Sequence, residues 1–206
     1  MKKLFICLFV LITIGSVTAQ LTVRIYNYRP TGDYGAVFKP TISAEIGSMR
    51  QFDEDNRVRW VFTGTALYLK PRMAEFPTTG EIEDGNGLKV YPGTMAYKLY
   101  LAVQAHIGID VALYRTEKFN AFIGTNAIIG GVLFHYHSVI PGFQDNESIG
   151  SGTQLGVRFR AGGEYQLNDQ LGFLISANRS YGIMLSADAG GFFSANDYGI
   201  GVSYKF

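Results

Sequence analysis

The chain has 206 residues, a net charge of +1 and a single cysteine, Cys7. A charge so close to neutral gives no electrostatic basis for binding nucleic acid, and one cysteine excludes a disulfide or a thiolate metal site within the chain. The 25 glycines and 13 tyrosines, beside only six prolines, favour many strands and turns over helices.

The first 19 residues have the three parts of a secretory signal peptide. Lys2 and Lys3 form a basic start, residues 4–14 are apolar, and residues 17–19 are small, so we expect cleavage after Ala19. The apolar part is shorter than the roughly 20 residues of a transmembrane helix. Cys7 lies upstream of the cleavage point and is not placed to become a lipidated first residue. The predicted organisation is a signal peptide over residues 1–19 and one domain over residues 20–206.

Apolar residues recur with period two along the rest of the chain, and no stretch shows helical spacing. The last segment is the clearest example, because Tyr198, Ile200, Val202, Tyr204 and Phe206 share one face while small and polar residues occupy the other. The same alternation predicts eight strands, with boundaries good to about 2–4 residues. They are expected at residues 21–29, 35–47, 57–70, 95–113, 119–135, 153–167, 170–180 and 195–206.

The connections between these strands largely alternate in length, although residues 48–56 are long for a periplasmic turn and the first outer loop, around residues 31–33, is short. If both chain ends lie on the periplasmic side, the connections after the second, fourth and sixth strands face the periplasm and should be short, whereas those after the third, fifth and seventh face outward. Residues 115–118 and the Asn168-Asp169 turn are short, and residues 71–94, 136–152 and 181–194 are long. This asymmetry is typical of an up-and-down transmembrane β-barrel.

Closure of the sheet follows from its surroundings, because hydrocarbon offers no water to a free strand edge. The alternative is a secreted sandwich or lipocalin-like barrel, whose apolar face would point inward. Many charges on the face opposite the apolar one argue against it. That predicted inward set is Arg24, Lys39, Glu45, Arg59, Lys98, Asp110, Arg158, Arg160 and Glu164. The outward aromatic residues expected to form the periplasmic half of an interfacial belt are Trp60, Phe119, Tyr165, Phe173, Tyr204 and Phe206.

The terminal run from Tyr198 to Phe206 resembles the C-terminal membrane-sorting signal of bacterial outer-membrane proteins, in which alternating apolar residues end in an aromatic. With its strand count, the mature chain resembles the small eight-stranded barrels typified by the OmpA transmembrane domain. The resemblance implies export to the outer membrane of a Gram-negative cell, insertion by the assembly machinery there, and contact with the lipid bilayer and lipopolysaccharide. It implies no activity. The Thr18-Ala19-Gln20 junction is similar to precursors of Bacteroidota, including porin-like barrels attached to secretion or conjugation systems.

An eight-stranded barrel has a bore that side chains can fill, so we do not expect a general diffusion pore. Buried charges need partners. Neighbouring strands predict that Glu45 pairs with Arg24 and with Arg57 or Arg59, that Asp110 meets Arg59, and that Glu164 meets Lys118 or an arginine of its own strand. We predict a structural network, with a gated ion path as the alternative. Its members are Arg24, Glu45, Arg57, Arg59, Asp110, Arg158, Arg160 and Glu164.

His135, His137 and Ser138 form a cluster of catalytic residue types. Histidine can activate a neighbouring hydroxyl, and the cluster loosely resembles that of outer-membrane lipid A deacylases. Those enzymes space histidine and serine by two, a spacing that here joins His135 to His137, and Ser138 falls on the opposite face of the strand. Glu147 is the candidate acid. A metal site on the two histidines lacks a third ligand nearby, so we predict no catalytic residue, metal or cofactor.

The predicted outer loops are rich in acidic residues, which could bind divalent cations that bridge lipopolysaccharide, or a protein partner. The simpler interpretation, which we favour, is that these charged side chains are solvated. The sequence therefore predicts a non-enzymatic outer-membrane barrel with a structural, adhesion or scaffold role in an envelope complex, such as a secretion or conjugation apparatus. The alternatives are a lipid A-modifying enzyme and a narrow channel. The loop residues are Glu75, Glu81, Glu83, Asp84, Asp145, Asn146 and Glu147.

Overall fold

The computed structural model describes residues 19–51, 57–84, 87–143, 145–186 and 191–206, so the predicted signal peptide lies outside it except for Ala19. No helix in this part of the chain is long and apolar enough to cross a bilayer. The elements are β1 (Ala19–Thr31), α1 (Gly32–Val37), β2 (Thr41–Gln51), β3 (Val58–Tyr68), β4 (Phe76–Asp84), β5 (Gly87–Arg115), β6 (Phe119–Val139), β7 (Asn146–Gln166), β8 (Leu171–Leu185) and β9 (Gly191–Lys205).

Eight of the strands close into one antiparallel barrel. Their order is β3-β2-β1-β9-β8-β7-β6-β5, and β3 also pairs with β5, so the barrel has no open seam along the β3–β5 pairing, which runs from Val58↔Val111 to Tyr68↔Leu101. The turn between β7 and β8 is short and is held by Asn168, whose side-chain oxygen accepts hydrogen bonds from the backbone N–H groups of Gln170 and Leu171. The predicted eight-stranded barrel is confirmed.

The ninth strand, β4, lies outside the barrel wall. It pairs with the first part of β5, from Asp84↔Gly87 to Phe76↔Met95, while the pairing of β5 with β6 begins only at Thr94↔Val139. Gly87 has a φ of 115°, a backbone conformation that favours glycine. The segment expected as a long loop over residues 71–94 is therefore largely a β-hairpin that projects beyond the outer rim.

Two predicted facings are wrong. The second strand was expected from residue 35, but α1 occupies residues 32–37 and β2 begins at Thr41, which leaves Lys39 exposed at the rim. In β5 the register slips between Tyr97 and Leu99, so Lys98 is an extra residue, and it is exposed. Because such a bulge reverses the alternation of faces, Tyr97 packs toward the aromatic cluster of the barrel interior and not outward.

The outer half of the lumen is filled by an aromatic plug. Tyr34 of α1 enters the mouth and lies 5.0 Å from Phe38, measured between ring centroids. Phe38 lies 4.5 Å from Tyr100, which stacks 6.0 Å from Phe134. Tyr28, Leu67, Leu69 and Phe193 complete the core of this cluster.

Candidate functional site

The periplasmic half of the lumen holds buried ion pairs that cross from strand to strand. Glu45 on β2 accepts a hydrogen bond from Arg24 on β1 at 2.9 Å, as neighbouring strands predict. Its second carboxylate oxygen is bound by Arg158 on β7, which reaches it across the bore. Nδ1 of His106, on β5, lies 3.7 Å from the same oxygen.

A second group of ion pairs is centred on Arg59 of β3. Its guanidinium lies 3.3 Å from Asp110 on β5, the expected neighbour, and 2.8 Å from Glu164 on β7. Glu164 also accepts a hydrogen bond of 2.8 Å from the Ser203 hydroxyl. Arg160 lies 3.7 Å from the other oxygen of Asp110. The structure thus joins strands on opposite sides of the barrel through side chains.

The sequence-based pairing missed Asp197 and misplaced two partners. Asp197, on β9, lies 3.4 Å from Arg158. Arg57 is exposed at the start of β3 and does not enter the network, and Glu164 binds Arg59 and not the exposed Lys118. The reason is geometric, because an eight-stranded bore is narrow enough for long side chains to meet across it, whereas the prediction considered adjacent strands.

The buried charges of the described residues balance. They comprise four arginines and four carboxylates, with His106 as a further titratable group. Since isolated buried charges are costly, this balance indicates a structural core. The charged residues are Arg24, Arg59, Arg158, Arg160, Glu45, Asp110, Glu164 and Asp197.

The two histidines of β6 lie outside the barrel, at the foot of the outer hairpins. Nε2 of His135 contacts the Glu147 carboxylate at 2.8 Å, and Nε2 of His137 lies 3.5 Å from Asp145. Lys98 donates a hydrogen bond to Glu147, and this lowers the pKa of the Glu147 carboxyl. Both contacts of the histidines are with acids on the next strand or loop. No group of three metal-ligating side chains occurs in the described ranges.

Ser138 lies on the other face of β6 from the two histidines. Ser138 pairs with Met95 and Asn146 in the sheet, and it follows His137 directly, so its side chain points to the opposite face of the strand from the histidines. The predicted acid Glu147 is present beside His135. Glu147 is the partner of the His135 imidazole in this part of the chain.

Most of the outside of the barrel is apolar. Tyr198, Ile200, Val202, Tyr204 and Phe206 of the C-terminal run are all exposed on one face, while Asp197 and Ser203 between them are buried. The six aromatic residues predicted for the periplasmic belt are exposed as well. A large, mostly apolar surface around a closed barrel that buries four arginines and four carboxylates is favoured in hydrocarbon over water.

The closed barrel and its apolar outside define the class of protein. The chain is a small eight-stranded outer-membrane β-barrel, located in the outer membrane. No protein-family model and no curated protein matches it.

Solved structures of other small barrels have the same architecture. The chain is similar to Neisserial surface protein A, with 13% sequence identity, a TM-score of 0.52, and coverage of 91% of this chain and 97% of that one. It is also similar to the attachment invasion locus protein Ail of Yersinia pestis, at 12% identity, a TM-score of 0.45 and coverage of 93% and 100%. A major outer membrane protein from Thermus thermophilus aligns at 7% identity, a TM-score of 0.49 and coverage of 91% and 99%. The first similarity supports the fold, and none of them assigns an activity.

Proposed function

We propose that this barrel is a non-enzymatic, non-conducting scaffold or adhesion subunit that binds another protein of the envelope or cell surface through the outer edge of β4. The observation that carries the proposal is that, in the described part of the chain, β4 pairs with β5 alone. A strand with one neighbour leaves a row of backbone N–H and C=O groups able to pair with a further strand.

Two prolines identify which groups face outward. Pro77 lies opposite Thr94, and Pro92 lies opposite Thr79. Proline has no N–H, so these positions fit the pairs of an antiparallel ladder that exchange no hydrogen bonds, and such pairs alternate with bonded ones. The backbone N–H groups of Thr79, Glu81 and Glu83 therefore point away from β5, toward the free edge.

The charge of the edge indicates the chemistry of the partner. Residues 73–88 contain Glu75, Glu81, Glu83 and Asp84 and no lysine or arginine. Opposite charges on facing strands stabilise a pair and like charges destabilise it. An extended segment that carries lysine or arginine is the partner that this edge favours.

The filled lumen favours a scaffold role for the barrel over a role as a channel. The aromatic plug fills the outer half, and the neutral network of paired charges fills the periplasmic half. The position of Ser138 on the opposite face of β6 from His135 and His137 argues against the deacylase-like alternative. An envelope complex such as a secretion or conjugation apparatus is the setting in which such a subunit would act.

Thr79→Pro tests the proposal, because it removes an outward N–H while leaving the bonds between β4 and β5 intact. Thr79→Val, which keeps the N–H, is the matched control. We expect blue-native electrophoresis of gently solubilised native membranes to show the wild type and Thr79→Val in a larger complex, and Thr79→Pro at the mass of the free barrel. A complex that survives in Thr79→Pro, or a wild type that runs as the free barrel, would refute the proposal.

A further inference from the structure

Two arginines occupy the lipid-facing wall on one side of the barrel. Arg29 of β1 pairs with Asn196 of β9, which pairs in turn with Arg179 of β8, so the three residues form one row across three strands. All three belong to the outward-facing set of their strands, with Tyr198 on β9 and Tyr181 on β8 as exposed neighbours. The outward positions of these three strands carry no aspartate or glutamate.

Arg179 lies inside the apolar band. It is about 15 Å above Phe173 of the periplasmic belt, at about 3.3 Å per residue along a strand tilted by about 40°, and the band is about 25 Å tall. Above it on the same face lie the exposed side chains of Tyr181, Ile183 and Leu185. Arg179 is therefore a cation in the outer-leaflet half of the hydrocarbon layer.

Arg29 lies nearer the outer interface. A row of paired residues can be traced around the barrel, from Arg29 on β1 to its partner on β9, then to β8 and so on through all eight strands. This row returns to β1 at Ala19, ten residues before Arg29 and at the periplasmic end of the strand. The row therefore descends toward the periplasm in the direction from Arg29 to Arg179. With strands about 4.8 Å apart, two strand steps at this tilt place Arg29 about 6 Å above Arg179. The two guanidinium groups are arranged along the path that a lipid takes from the interface into the leaflet.

The protein compensates these charges incompletely. Arg179 donates a hydrogen bond of 2.8 Å to the side-chain oxygen of Asn196, and its guanidinium carbon lies 4.6 Å from the Tyr181 ring centroid. Arg29 lies 5.8 Å from the ring centroid of Tyr198. These are neutral partners. A cation that faces lipid is costly, so an anion from the membrane would stabilise the row.

We propose that Arg29, Asn196 and Arg179 form a binding site for the phosphate group of an outer-leaflet lipid. Arginine binds phosphate with two parallel hydrogen bonds. Asn196 lies between the two arginines in the row, and its side-chain oxygen already accepts a hydrogen bond from Arg179, which leaves its nitrogen as a further donor for a phosphate oxygen. The exposed Ile25, Ile175 and Ile183 around the row would pack against the acyl chains of that lipid. This site is independent of the edge of β4.

Native mass spectrometry of the detergent-solubilised full barrel can measure the site. The probes are bis-phosphorylated lipid A, the same lipid A after enzymatic removal of its phosphates, and inorganic phosphate as a competitor at millimolar concentration. We expect the wild type to retain phosphorylated lipid A at least about tenfold better than the dephosphorylated form, because two charge-assisted contacts are lost. Inorganic phosphate, which lacks acyl chains, should displace it weakly.

The matched variants are Arg29→Gln with Arg179→Gln, and Arg50→Gln as control. Arg50 also faces outward, but on β2 at the periplasmic end. The double variant should lose the tenfold preference, whereas Arg50→Gln should keep it, and unboiled electrophoretic mobility reports whether each barrel is folded. Equal retention of both lipid forms by the wild type would overturn the proposal without any variant. Full displacement by inorganic phosphate would show an anion site that does not recognise lipid, and would overturn it too.

Discussion

Replacing Ile200 by arginine would place a charge near the middle of the apolar band. Ile200 is 58% exposed on the outer wall, and both of its register partners, Ile25 and Ile175, are apolar and 57% and 51% exposed. It lies about 15 Å above Phe206 along the membrane normal, at about 3.3 Å per residue and a tilt of about 40°. An arginine at such a depth costs about 2–4 kcal/mol, against about 0–1 kcal/mol near an interface.

Guanidinium-induced unfolding in lipid vesicles would measure this cost. The single tryptophan, Trp60, lies in the periplasmic belt and reports the transition by fluorescence. The matched control is Leu21→Arg, which faces the same side near the periplasmic rim, opposite Tyr204. We expect Ile200→Arg to be at least about 30-fold less stable as an equilibrium constant, from the lower bound of about 2 kcal/mol, and Leu21→Arg to lie close to the wild type. Equal costs at the two positions would mean that hydrocarbon does not bathe this face.

Three further predictions concern the lumen and the histidines. Glu45→Ala should cost about 3–5 kcal/mol in the same titration, because it leaves the buried Arg24 and Arg158 without their shared carboxylate; a change as small as that of the exposed Glu147→Ala would contradict the network. Planar bilayers containing the purified barrel should show no unitary conductance, since the plug closes the outer half of the lumen, and stepwise currents would instead support a channel. Replacing His135 and His137 together by alanine should leave the lipid A mass spectrum of the cells unchanged, and a shift by one acyl chain would restore the enzyme hypothesis.

The sequence predicted the barrel because membrane strands follow a simple rule. Lipid-facing and lumen-facing residues alternate, so the apolar positions in the run from Tyr198 to Phe206 identify the lipid-facing side of that strand. The eight predicted strands overlap the eight strands of the barrel wall. The rule fails where one residue is added. Nothing in the composition around Lys98 distinguishes a bulge from regular alternation. The bulge places Tyr97 against the interior cluster, whereas unbroken alternation from Leu99 would place it outward.

The missed features depend on other information. The β4–β5 hairpin had a local signal, because Asp84-Gly-Asn-Gly87 is rich in residues that favour tight turns between strands. The ion pairs of Arg158 with Glu45 and of Arg59 with Glu164 had no such signal in the sequence. Alternation tells which side chains enter the lumen, but not where they stand around its circumference. The signal peptide, the membrane-sorting role of Phe206 and the Bacteroidota origin stay predictions.

The acidic outer border of β4 also has a consequence for crowding. Outer-membrane barrels lie close together, and an unpaired strand edge can pair with the same edge of another copy and so start edge-to-edge aggregation. Copies in one membrane share an orientation, so two of them that met in register along this border would run parallel. The glutamates at positions 81 and 83 of each copy would then lie close to those of the other, and like charges on facing strands repel. The carboxylates that favour a partner segment with lysine or arginine would therefore also prevent neighbouring copies of the barrel from polymerising.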